Sequence, residues 1–63
     1  MTAGQTLAVS EIGHAALNAA SLCHLLADAL AANPETSTAA QAVNAIETLF
    51  EHIGADALKI TGL

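Results

Sequence analysis

Pro34, near the middle of the chain, separates two apolar stripes that mirror each other, and this symmetry restricts the fold more than any other feature of the sequence. The first stripe is Val9, Ile12, Ala16, Ala19, Cys23, Leu26 and Leu30; the second is Ala39, Val43, Ile46, Phe50, Ile53, Ala57 and Ile60. Each advances by three and four residues in alternation, the spacing that draws one narrow seam along an α-helix. Folded back at Pro34, the stripes meet layer by layer: Val9 with Ile60, Ile12 with Ala57, Ala16 with Ile53, Ala19 with Phe50, Cys23 with Ile46, Leu26 with Val43 and Leu30 with Ala39. Bulk on one side meets a gap on the other in several of these layers, which keeps their volumes about constant. The sequence therefore predicts an all-α fold, an antiparallel two-helix hairpin.

Local signals set the expected boundaries. Residues 1–5, with Gly4 among small polar neighbours, read as a flexible tail, and residues 6–60 as a single helical-hairpin domain. Thr6 and Ser10 are both candidate N-caps, and a proline disfavours helical backbone in the residue before it. Helix 1 is thus expected over about 8–32, with a loop over 33–37. Thr38-Ala39-Ala40-Gln41 has capping-box spacing, which predicts helix 2 over about 38–59; Pro34 behind an Asn33 cap is the competing start. Gly54 opposes continuation, because glycine is unfavourable within a helix and common just beyond its end. Gly13 stands at nearly the same height, however, and two missing side chains there would admit close backbone approach. That favours a helix running through Gly54.

A lone core is marginal in a chain of 63 residues, so a second buried surface is expected. Leu22, Leu25, Ala29, Ala45 and Leu49 flank the stripes as a second apolar face, placed to form the interface of a homodimeric four-helix bundle. Asn18 and His52 stand level with each other at its edge, a polar pair suited to fixing register. The other flank carries His24, Asn44, Glu47 and Glu51 and should face water, with Leu17 and Leu58 as apolar exceptions. In its length, its layers of mixed small and large residues and its dimeric bundle, this layout resembles the small ROP-type RNA-binding proteins. The resemblance is architectural. Those proteins meet RNA with basic side chains, whereas Lys59 is the only Lys or Arg here, so no functional residue carries over.

Charge excludes several classes of function. One Lys or Arg against six Asp and Glu gives a net charge of -5, which disfavours direct binding to nucleic acid and to anionic membranes. The run without formal charge between Glu11 and Asp28 is broken by polar residues and is too short to span a bilayer. The N-terminus lacks the basic start of a signal peptide, and a single Cys makes no internal disulfide, so a cytoplasmic location is expected.

No constellation predicts catalysis or a cofactor. Glu11 and His14 have the Glu-x-x-His spacing of bundle metal sites, yet point away from the seam where such a metal would sit. Ser21, His24 and Asp28 share a helix face but lack an oxyanion site and a pocket. The reading is a non-enzymatic protein acting through protein–protein contacts as a homodimer, its acidic flank of Glu47, Glu51 and Asp56 meeting a basic partner. The alternative is a small metal- or ligand-binding bundle using His14, His24 or His52.

Overall fold

The computed structural model describes residues 1–62 and consists of two α-helices packed side by side. Helix α1 spans Ala3–Ala31, a 3-10 turn spans Pro34–Thr36, and helix α2 spans Ser37–Thr61. The hairpin is a rod about 49 Å long and 12 by 11 Å across, measured between Cα atoms.

The ends differ from the sequence expectation in ways that hydrogen bonding explains. Residues 1–5 are not a tail: α1 starts at Ala3, because Thr2 and Gln5 form a reciprocal capping box. The Gln5 N–H donates to Thr2 Oγ1 at 3.1 Å, and the Thr2 N–H donates to Gln5 Oε1 at 2.9 Å. At the turn the competing start prevails. Asn33 Oδ1 accepts from the Glu35 N–H at 2.9 Å, Pro34 opens the 3-10 turn, and α2 follows without a break. Thr36 Oγ1 donates to the Leu30 carbonyl at 2.6 Å, tying the turn back to the last turn of α1. Thr38 and Gln41 form no capping box; both lie inside α2, which runs through Gly54 to Thr61.

The seam itself departs most from expectation. Both helices are turned so that alternate members of each stripe give way to the residue that follows. In α1 the buried positions are Gly13, Ala16, Ala20 and Ala27; in α2 they are Ala40, Gly54 and Ala57. Val9, Cys23, Leu30, Val43 and Phe50 keep partial burial at the edge of the seam. Ile12, Leu26, Ile46, Ile53 and Ile60, assigned to the core from spacing alone, are instead 42% to 58% exposed. The contact of Gly13 with Ala57 fixes the register, and carried along both helices at the same spacing it sets Ala16 level with Gly54, Ala20 with Phe50, Cys23 with Glu47 and Ala27 with Val43. Register along the axis is nearly as predicted. The rotation about each axis is off by about half of the roughly 100° between successive residues.

The two glycines give the physical reason. A Cβ on Gly54 would lie 2.7 Å from Leu17 Cγ and 2.9 Å from the Gly13 carbonyl oxygen, and one on Gly13 would lie 3.0 Å from Leu58 Cγ and 3.2 Å from Ala57 Cβ. Each glycine is the hole for a leucine of the opposite helix. Leu17 and Leu58, apolar exceptions on the predicted polar flank, are the knobs that fill these holes. Small residues on both sides let the helices approach closely, and a Leu or Ile in those layers would hold them apart.

Candidate functional site: an apolar face and a polar groove

The rotation sorts side chains onto two opposite faces. In an antiparallel pair, positions flanking the seam on one side of α1 lie beside their counterparts on the same side of α2. On one side these are Ile12, Ala19 and Leu26 from α1, and Ala39, Ile46, Ile53 and Ile60 from α2. Together with the half-buried Val9, Cys23, Leu30, Val43 and Phe50 they make a continuous face without a charged or hydrogen-bonding group apart from the Cys23 thiol. The two predicted stripes are thus split: Ala16 and Ala57 stay inside the hairpin, while most of the large members join one surface that is open or half-open to water.

The other side mixes apolar walls with polar and acidic side chains. An open groove of about 530 Å³ lies there, lined by Leu17, Ala20, Ser21, His24, Leu25, Glu47 and Glu51. His24 links both walls: its Nδ1 is 3.5 Å from Glu47 Oε1 across the helix pair, and its Nε2 is 3.5 Å from Asp28 Oδ2 one turn along α1. Glu47 stands in the seam, with its side chain 18% exposed, where the equivalent positions seven residues away on α2 are the buried Ala40 and Gly54. Stability alone would put alanine at such a position. A half-buried acid that breaks the small-residue pattern marks this groove as a candidate for function.

The residues assigned to a dimer interface divide between the faces. Leu22, Leu49 and Ala29 are exposed along the margin of the apolar face. Leu25 lines the polar groove on the other side, and Ala45 is exposed at the back of α2, so the structure does not gather the five into one patch. Asn18 and His52 are both exposed on the outer surface, with no hydrogen bond between them. The seam rotation that moved the stripes moved this edge as well.

The remaining chemistry-bearing residues stay apart. Ser21 Oγ donates to the Leu17 carbonyl at 3.3 Å, which engages its hydroxyl within its own helix rather than with His24. His14 and His52 are exposed at separate positions, and among the described residues no group of three or more His, Cys, Asp or Glu is assembled to hold a metal ion. Among the described residues no helix is long and apolar enough to cross a membrane. The inward position of Glu47 is not legible from the spacing of the stripes. The signal available was reciprocal: a glycine and a leucine four residues apart on each helix, at matching heights, fix the rotation that brings Glu47 inward.

No protein family, curated protein or solved structure matches this chain. Its reading rests on its own geometry.

Proposed function

We propose that this chain is a non-enzymatic interaction protein that pairs with a second copy through its apolar face, closing a four-helix bundle and leaving the two polar grooves outward. The observation that carries this reading is the inverted distribution of bulk. Only Ala and Gly are buried within the hairpin, while Ile12, Leu22, Leu26, Ile46, Leu49, Ile53 and Ile60 stay largely open to water. Covering these seven would bury several hundred Å² per copy, the greater part of the roughly 800 Å² per partner of a standard interface. Apart from Asp56, exposed at the margin of this face beside Ile53 and Ile60, the formal charges lie in the turn, in the groove and on the outer surface, so the centre of the face presents no charge to a second copy.

Of the acidic residues, Glu47 and Glu51 line the groove and supply the surface for a basic partner, while Asp56 stands on the other side of α2 at the margin of the apolar face. Size-exclusion chromatography with light scattering tests the pairing. Ile46→Asp with Ile53→Asp should convert a dimer to a monomer, while Leu25→Asp on the opposite side should leave the dimer intact. Loss of the dimer in both, or in neither, would contradict the assigned face. Binding of a lysine-rich peptide, weakened by Glu47→Gln with Glu51→Gln and by added salt, tests the second surface; binding indifferent to both would remove it.

A further inference from the structure

We infer that the two copies pair with their turns at the same end of the bundle, so that α1 of each copy lies against α2 of the other. This rests on the proposed dimer and adds its geometry. The evidence is the size pattern along the apolar face. On α1 the small residues Ala19 and Cys23 occupy the middle of this face, and the large residues Val9, Ile12, Leu26 and Leu30 occupy the ends. On α2 the large residues Ile46, Phe50 and Ile53 fill the middle, with the small Ala39 at the turn end and Ile60 at the other.

The observed register within one copy places Gly13 level with Ala57. A two-fold axis parallel to the helices preserves that level between copies. Among the residues left open on this face, Ala19 then faces Phe50 of the second copy, Cys23 faces Ile46 and Leu30 faces Ala39, each within about one residue of the same height. The complementarity that the hairpin does not use internally is satisfied between copies, as constant layer volume requires. With the turns at opposite ends, α1 would meet α1 and α2 would meet α2. Ala19 would then lie against Ala19 and Phe50 against Phe50, leaving a gap on one side and a clash on the other, both unfavourable in a packed core.

Pulsed electron–electron spin resonance on the full chain distinguishes the two. A nitroxide is attached at Glu35→Cys, in the turn, in a Cys23→Ala background, and a second sample carries it at Lys59→Cys, near the other end. Turns at the same end predict a short interspin distance in both samples, on the order of two helix diameters or about 20–30 Å. A distance near the 49 Å length of the hairpin in both would overturn the arrangement while leaving the dimer in place. Absence of dipolar coupling, with a monomer seen by sedimentation of the same labelled samples, would overturn the pairing itself. The Lys59 label keeps the test decisive if a substitution in the turn disturbs folding.

Discussion

Gly54 and Gly13 show how much depends on single positions. Alanine is a better helix former than glycine by about 1 kcal/mol, and at Gly4, where a Cβ meets nothing within 4 Å, Gly4→Ala should raise stability by up to that amount. At Gly54 the same change drives a methyl group into Leu17 and the Gly13 carbonyl. Overpacking of that kind costs about 1–3 kcal/mol and should reverse the sign. Chemical denaturation of the two variants checks this, and a stabilised Gly54→Ala would mean that the helices do not approach closely there. Glu47 makes a related case. Its partner His24 is largely exposed, so their contact adds little, and Glu47→Ala should raise the melting temperature while weakening any basic ligand. A lower melting temperature would assign Glu47 to the fold rather than to the groove.

At the scale of the elements, the start of α1 depends on the capping box of Thr2 and Gln5. Thr2→Ala should cost about 0.5–2 kcal/mol and fray the first turn, visible as faster amide exchange over the first turn; unchanged exchange would mean that the helix starts later. The helix type, the hairpin and the position of the turn were legible in the sequence, because Pro34 and the three-and-four spacing act locally. The face of each helix was not. Val9, Ala16, Cys23 and Leu30 belong equally to a seam completed by Ile12, Ala19 and Leu26 and to one completed by Gly13, Ala20 and Ala27. Hydrophobicity favours the first. Close approach over two glycines, each filled by a leucine from across, favours the second, and that is a property of two helices together. Thr2-Ala3-Gly4-Gln5 was legible as a capping box, but Gly4 and the small neighbours gave it the look of a tail. Of the candidate site, the acidic flank was legible as charge alone; the groove depends on the rotation.

For the whole molecule, the consequence is a hairpin whose most hydrophobic surface lies outside it. A core limited to alanine and glycine stabilises a chain of this size weakly, and covering the Ile and Leu face would link folding to association. Stability should then rise with protein concentration, since a partner that binds only the folded state shifts the equilibrium by mass action. Leu26→Ala, which would open a cavity if Leu26 lay inside the hairpin, should instead act on association, and its effect on the melting temperature should depend on concentration. The most direct test is sedimentation equilibrium of the unmodified chain from low micromolar to near-millimolar concentration. The account predicts a mass converging on twice the 6.3 kDa of one chain. A folded species that stays at the monomer mass over the whole range would contradict it.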